Sequence, residues 1–142
     1  MKKGLAMNDT LEIDNLRGAV ASLERSIAVY ARKQEFDADV AEVLRGGVIQ
    51  CFEFTYEIAW KTMTHWLALN IPTAEPSSRR NTFRLCGEYG LISDVEFWFD
   101  STQARNLTSH TYNEDTAESV VQTAVEFLPC VKALLANLEK QI

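Results

Sequence analysis

The stretch that decides the fold covers residues 40–66 and reads VAEVLRGGVIQCFEFTYEIAWKTMTHW. Apolar side chains recur in it every three or four positions, the period of one face of an α-helix. They are Val40, Leu44, Val48, Phe52, Tyr56, Ala59, Met63 and Trp66. The pattern predicts one long helix with a buried face, opening near Asp37. Gly46 and Gly47 lie inside it, each costing about 1 kcal/mol relative to Ala, and indicate either a local bend or the close approach of another helix.

The same period continues on both sides of this stretch. A stripe of five apolar residues predicts a first helix over about residues 10–33; it consists of Leu16, Val20, Leu23, Ile27 and Tyr30. Residues 70–78 contain two of the three prolines and predict a loop. A short helix over residues 79–88, closed by Gly90, is expected to follow it.

Two further helices are predicted towards the end of the chain. Ser93 and Glu96 have the spacing of a capping box, which predicts a helix that starts at Asp94. This helix is expected to end near His110. Asn113 then caps a last helix, in which Pro129 should introduce a kink.

These elements predict an all-α fold, because no segment of useful length alternates between apolar and polar residues. The expected architecture is an antiparallel up-and-down bundle of four long helices plus one short helix. The length of 142 residues fits a single domain over residues 1–142. Residues 1–9 are expected to be flexible.

Composition narrows the classes of function. The chain has 14 basic and 20 acidic residues, a formal net charge of −6. This balance argues against a broad basic surface, and no DNA partner is expected, although a small local site for nucleic acid is compatible with it. The three cysteines form no Cys-x-x-Cys pair, which favours reduced thiols in a cytosolic protein. No run approaches the ~18 apolar residues of a membrane span, so a cytoplasmic protein without a membrane partner is predicted.

One polar stretch concentrates chemistry near the end of the fourth helix and reads RNLTSHTY over residues 105–112. It joins a guanidinium, an amide, an imidazole and a phenol. Asn106 and His110 are four residues apart, so a continuous helix would place them on one face. If the helix ends near His110, the side chains of four residues would lie close together at that end of the helix: Arg105, Asn106, His110 and Tyr112. The alternative is an ordinary polar helix terminus, where Arg and His are favoured by the helix dipole.

A second stretch, FEFTYEIAWK over residues 52–61, combines aromatic and acidic residues at helical spacing. The aromatic side chains can serve as core or as a platform for a ligand; they are Phe52, Tyr56 and Trp60. Glu53 and Glu57 form a neighbouring stripe that could face solvent or pair with Arg105. Lys61 follows Glu57 at the spacing of a favourable surface ion pair.

These two stretches and the helical setting resemble the HEPN superfamily, within its branch of nucleotidyltransferase substrate-binding proteins. The signature of that branch is an Arg, a polar residue, three further residues and a His, often followed after one residue by a Tyr. It falls on Arg105, Asn106, His110 and Tyr112. The resemblance covers nearly the whole chain, about residues 11–138.

The resemblance implies a function and two partners. Many members are metal-independent endoribonucleases that act as toxins, so RNA is the implied substrate, with no cofactor and no metal. A homodimer with both motifs at a shared cleft is implied as well. The branch is typically paired with a small MNT-type nucleotidyltransferase, an antitoxin that can transfer AMP from ATP to the motif tyrosine, here Tyr112. An older interpretation of the branch implies the alternative, a non-catalytic nucleotide- or substrate-binding subunit of a two-chain nucleotidyltransferase.

Residue chemistry then suggests the roles. The imidazole of His110 can act as general acid or base near neutral pH, and Arg105 can bind a phosphate with two donors. Asn106 would orient His110 or the ribose. His65 is expected to be packed beside Trp66, so two copies of His110 across a dimer would supply acid and base together. Supporting or nucleotide-binding candidates are Glu53, Tyr56, Trp60, Asp100 and Ser109.

Overall fold

The computed structural model describes residues 11–141, which form five α-helices and no strand. The helices are α1 (Asp14–Tyr30), α2 (Ala38–Asn70), α3 (Arg79–Glu88), α4 (Val95–Asn106) and α5 (Glu114–Glu139). Two single turns of 3-10 helix, Lys33–Glu35 and Thr108–His110, lie in the connections before α2 and α5. The predicted all-α bundle is therefore confirmed. The segment predicted to be flexible, residues 1–9, lies outside the described residues.

Contacts between helix ends give the bundle its antiparallel course. Arg17 near the start of α1 pairs with Glu139 at the end of α5, at 2.8 Å. The hydroxyl of Tyr30, at the end of α1, donates to Glu118 in the second turn of α5, at 3.4 Å. These two contacts show that α1 and α5 run in opposite directions. The Asn137 amide near the end of α5 donates to the Leu91 carbonyl just before α4, at 2.9 Å, so α4 and α5 are antiparallel too.

An aromatic cluster forms the centre of the core and joins α2, α3, α4 and α5. Its five rings are almost completely excluded from solvent; they belong to Phe52, Tyr56, Phe83, Trp98 and Phe127. The ring of Phe127 lies edge-on to both Phe52 and Trp98, with centroids 5.2 Å apart in each pair. Edge-to-face pairs of this kind add about 0.5–1.5 kcal/mol each beyond the burial of their area. The short helix α3 is thus anchored in the bundle by Phe83.

The predicted apolar stripe of α2 is buried from Val48 to Trp66, but Val40 is 41% exposed and Leu44 is only partly buried. The first turns of α2 therefore contribute little to the core. The helix runs unbroken through Gly46 and Gly47, where an added Cβ would meet no atom within 4 Å. No close approach by another part of residues 11–141 explains the two glycines, and the local bend stays a prediction.

Polar side chains cap α2 to α5. The caps at Asp37 and Asn113 lie where the sequence indicated, whereas the cap at Ser78 was not predicted. Asp37, Ser78 and Asn113 each accept a hydrogen bond from the backbone N–H three residues later. The capping box predicted at Ser93 is wrong. The N-cap of α4 is Asp94, whose carboxylate accepts from the Phe97 N–H at 3.1 Å. Aspartate caps a helix as well as serine does, so the helix begins one residue later.

The predicted bounds of α1 and α4 differ from the structure. α1 covers 17 residues rather than residues 10–33, because the chain turns into a 3-10 helix at Lys33. α4 is only 12 residues long and ends at Asn106 rather than near His110. This shortening leaves α4 comparable with α3, which has 10 residues.

α5 is long and apolar enough to span a membrane by length and composition, with a mean hydropathy of 1.4 over its most apolar window. Its apolar face nevertheless forms part of the core; the buried residues include Val120, Ala124, Phe127, Val131, Leu134 and Leu138. A core helix of a helical bundle meets the same criterion. Pro129 lies inside α5 as the sequence predicts, and the kink that it should cause stays a prediction.

The two adjacent cap candidates of α4 give a matched test of the fold. We expect Asp94→Ala to lower the free energy of unfolding by about 1 kcal/mol, because it removes the acceptor of the Phe97 N–H. Ser93→Ala should change it little. Urea denaturation followed by circular dichroism measures both. A larger loss for Ser93→Ala than for Asp94→Ala would contradict the assignment of the cap.

Candidate functional site

Glu57 on α2 connects three helices through one carboxylate oxygen. Its Oε2 accepts a hydrogen bond from Arg105 Nε of α4 and another from Arg79 Nη1 of α3, both at 2.7 Å. Glu53, one turn earlier on α2, lies 3.6 Å from Arg105 Nη2. Of the two alternatives for this acidic stripe, pairing with Arg105 is therefore confirmed. The expected ion pair between Glu57 and Lys61 is wrong: within residues 11–141 Lys61 forms no ion pair and is exposed, because the arginines occupy Glu57.

Two opposing effects set the charge state of Glu57. Partial burial by itself would raise the pKa of its carboxyl group, but hydrogen bonds and positive charge from Arg79 and Arg105 outweigh it and hold the pKa below its ordinary value. The same hydrogen bond raises the pKa of Arg79. A carboxyl group whose pKa falls on folding stabilises the protein above its unfolded pKa. This contribution is lost as the pH drops through the lower folded value, so the cluster is intact at neutral pH.

Arg79 is a site residue that the sequence analysis missed. Its guanidinium lies 4.4 Å from the centre of the Trp60 ring and 5.6 Å from that of Tyr56. Trp60 is partly buried, and within the described residues its Nε1 has no hydrogen-bond partner. Nothing in the sequence links positions 57 and 79, since they lie on different helices separated by a loop.

Tyr56 belongs to the core rather than to a surface for a ligand. Its ring is fully buried in the aromatic cluster, and its hydroxyl shares a 2.6 Å hydrogen bond with the Thr102 hydroxyl of α4. The hydrogen bond fixes α4 against α2 one turn before Arg105. Of the two interpretations of the aromatic stripe, the structural one therefore applies to Tyr56.

The chain changes conformation directly after Arg105 and Asn106. The Thr108 hydroxyl donates to the Arg105 carbonyl at 2.9 Å, and Thr108–His110 form a single 3-10 turn. The prediction that one helix carries Asn106 and His110 on the same face is therefore wrong. Threonine and serine hydroxyls compete for backbone carbonyls, which explains why the α-helix ends at this point.

The 3-10 turn presents polar groups to solvent. The side chains of His110 and Tyr112 are exposed, that of Tyr112 by 87%, and their rings are 6.2 Å apart. Asn106 and Ser109 on the same segment are exposed as well, and so is Asp100 on α4. No side-chain hydrogen bond joins Arg105 to His110 within residues 11–141, and the imidazole lies exposed on the turn that follows α4.

A buried arginine paired with two exposed carboxylates fixes the helix that follows this turn. Arg45 on α2 has a side chain only 9% exposed, and its Nη1 lies 2.7 Å from Glu114 and 3.2 Å from Glu118 on α5. The hydrogen bond to Glu114 raises the pKa of Arg45. A buried charge without partners is strongly destabilising, so this pairing holds the first turns of α5 in place. Glu114 lies two residues after Tyr112. Arg45, like Arg79, was not predicted from the sequence as a residue near the site.

The available donors decide what the site can do chemically. Glu57 occupies Nε of Arg105, whereas Nη1 makes no hydrogen bond within the described part of the chain. This outer edge of the guanidinium is the part that can meet a phosphate. No group of three or more His, Cys, Asp or Glu side chains suited to a metal ion occurs within residues 11–141.

Comparison with known proteins gives one family. Residues 11–140 match the family described as "Nucleotidyltransferase substrate binding protein like". A Haemophilus influenzae protein named "Probable ribonuclease HepT" is 32% identical, and the match covers 95% of this chain and 97% of that protein.

Two solved structures share the fold. One comes from Haemophilus influenzae and is described as revealing the fold of a substrate binding domain of a nucleotidyltransferase. It is 30% identical with a TM-score of 0.83, and the match covers 90% of this chain and 99% of that one. The other, from Thermus thermophilus, is 28% identical with a TM-score of 0.72 and covers 87% and 98%.

The matches extend over the segment that carries Arg105, His110 and Tyr112, and agree with the resemblance of the motifs to the HEPN superfamily. The chain therefore belongs to the family of nucleotidyltransferase substrate-binding proteins, a branch of the HEPN superfamily.

Proposed function

We propose that this chain is a cytoplasmic single-domain toxin that cleaves RNA without a metal ion. The observation that carries the proposal is the exposed 3-10 turn, which places His110 in solvent directly after the helix that holds Arg105 in the Glu57 cluster. Cleavage of a phosphodiester without a metal ion needs imidazole groups that transfer protons and a cation that binds the phosphate. The name of the Haemophilus influenzae relative supports the same reaction.

Arg105 binds the scissile phosphate in this mechanism. Because Glu57 fixes Nε at 2.7 Å, the guanidinium is already oriented before substrate arrives. Its outer edge donates to the phosphate oxygens and stabilises the charge that develops on them in the transition state. Asn106 lies next to Arg105 in the last turn of α4 and orients the ribose or the imidazole.

His110 moves the proton. As a base it removes the proton from the ribose 2′-hydroxyl, whose oxygen attacks the phosphorus while the bond to the 5′-oxygen breaks. The products are a 2′,3′-cyclic phosphate and a 5′-hydroxyl, and the second product needs a proton from an acid. The other histidine, His65, is partly buried on α2. We therefore assign the acid to His110 of a second copy, in a homodimer whose cleft joins both motifs.

Tyr112 is the proposed point of control. Its phenol is 87% exposed and its ring lies beside that of His110. An MNT-type nucleotidyltransferase would transfer AMP from ATP to this hydroxyl and release pyrophosphate. The added phosphodiester carries a negative charge. It would bind the guanidinium of Arg105 and repel the phosphate of an RNA substrate.

A second function, a non-catalytic nucleotide- or substrate-binding subunit of a two-chain nucleotidyltransferase, is favoured by one observation. Glu53 and Glu57 offset the positive charges of Arg79 and Arg105, so the cluster attracts a phosphate less than two free arginines would. The description of the Haemophilus influenzae structure fits this function. Cleavage of RNA by the purified protein in the presence of EDTA separates the two proposals.

The two histidines give a matched test of catalysis. We expect His110→Ala to lower the rate of RNA cleavage by about 10²–10⁴-fold, because a general acid–base group is lost. His65→Asn should cleave RNA at the rate of the unmodified protein. Gel analysis of a labelled RNA with EDTA present measures both, and circular dichroism checks the fold. Cleavage by His110→Ala at the normal rate would contradict the assignment.

The role of the second copy predicts a distinct result in mixed dimers. Two differently tagged chains, one normal and one His110→Ala, can be expressed together and purified as the heterodimer. If the imidazoles act as a pair, the heterodimer should be nearly as inactive as the variant homodimer. Half of the normal activity would mean that each chain acts alone, and a monomer in light scattering at micromolar concentration would contradict the dimer itself.

The control of activity can be tested by intact-mass spectrometry. After co-expression with a cognate nucleotidyltransferase, we expect the chain to gain the mass of one or more adenylyl groups and to lose RNA cleavage while it stays folded. Tyr112→Phe should gain no mass, whereas Tyr89→Phe, which removes another exposed phenol, should be labelled normally. Labelling of Tyr112→Phe to the normal extent would show that another residue is the acceptor.

A further inference from the structure

Two arginines of α3, Arg80 and Arg84, differ from most others in the chain because no carboxylate neutralises them within the described residues. Five of the eight arginines form ion pairs with carboxylates; they are Arg17, Arg32, Arg45, Arg79 and Arg105. Within residues 11–141 no carboxylate oxygen lies within 4.0 Å of Arg25, Arg80 or Arg84. Two of these three follow each other by one turn on α3, in a chain whose net charge is −6.

The contacts of Arg80 leave its hydrogen-bond donors free. Its guanidinium carbon lies 3.9 Å from the centre of the Phe99 ring on α4, while the residue as a whole is exposed. An arginine over an aromatic ring is held by the ring face and can still donate from the edge of its guanidinium. Arg84 is exposed and comes four residues later, on the same face of α3.

The start of α3 lies next to the proposed active site. Arg79, the residue before Arg80, shares the Glu57 Oε2 atom with Arg105. The helix that carries Arg80 and Arg84 therefore begins at the residue that contacts the same oxygen as Arg105. A polyanion bound at Arg105 meets this helix, whereas the acidic balance of the remaining chain disfavours contacts elsewhere.

We propose that α3 is the path of the RNA strand beside the cleavage site, with Arg80 and Arg84 binding phosphates of the flanking nucleotides. The inference rests on the proposed ribonuclease function and adds a binding surface to it. Contacts to phosphates position a strand without reading its sequence. The face would therefore strengthen binding of single-stranded RNA of any sequence.

Direct binding measurements test this path without cleavage. The probe is a fluorescent single-stranded RNA of mixed sequence, titrated by anisotropy at several salt concentrations with the His110→Ala protein. Adding Arg80→Gln and Arg84→Gln should weaken binding and reduce the slope of log Kd against log salt by about 1.4, since each phosphate contact to a single strand contributes about 0.7. The control Arg25→Gln, which removes an exposed arginine of α1 without a carboxylate partner, should change neither quantity.

Cleavage kinetics separate the failure of this inference from the failure of the proposed function. With His110 intact, the Arg80→Gln/Arg84→Gln protein should show a raised KM and a nearly unchanged kcat, because the lost contacts bind substrate and transition state alike. Normal cleavage with an unchanged KM would overturn the RNA path and leave the ribonuclease standing. Absence of both RNA binding and cleavage in the unmodified protein would overturn both. If the Arg80→Gln/Arg84→Gln protein binds RNA normally but no longer binds the nucleotidyltransferase, α3 is a protein-binding surface and the proposed RNA path is wrong.

Discussion

One carboxylate oxygen shared by two guanidinium groups organises the functional end of this bundle. Glu57 Oε2 accepts hydrogen bonds from Arg79 and Arg105 at 2.7 Å each, and so joins α3 and α4 to the central helix α2. Hydrogen bonds to charged groups are worth about 1.5–3 kcal/mol each, more than those between neutral groups. The same oxygen orients Arg105, so a contact that stabilises the packing of the helices also prepares a phosphate-binding group.

The site combines a rigid part with a part exposed to solvent. Arg105 is fixed by Glu57, and the first turn of α5 is fixed by the buried Arg45. Between these two fixed points lie the 3-10 turn with His110 and the exposed Tyr112. A proton-transferring group and a modifiable phenol both need access to other molecules, whereas a phosphate-binding group benefits from a fixed orientation. The different surroundings of the residues match the roles proposed for them.

The distribution of charge reconciles an acidic protein with the anionic substrate proposed for it. Carboxylates neutralise most arginines, including those of the Glu57 cluster, so the overall balance says little about any one surface. The exposed arginines of α3 are the exception next to Arg105. A local row of a few positive groups suits a strand that must be bound, cleaved and released better than a broad basic surface would.

The sequence by itself determined the helical class, most of the helix boundaries and the motif from Arg105 to Tyr112. Apolar periodicity and helix capping depend on residues a few positions apart, so both can be recognised in the sequence alone. Even these local features were predicted inexactly where neighbouring groups compete for the same role. Asp94 rather than Ser93 caps α4, and α4 ends at Asn106 rather than near His110.

Only the tertiary structure decided which groups meet. Arg79 and Glu57 lie 22 residues apart in the sequence, and Arg45 and Glu114 lie 69 apart. No short-range sequence pattern therefore predicts either ion pair. The packing of α3 and α4 against α2 removed Tyr56 from the candidate site, took Glu57 away from Lys61 and brought Arg79 beside Arg105. The physical reason is that a charged side chain pairs with whichever partner the buried apolar faces bring within reach, and those faces are fixed by the whole bundle.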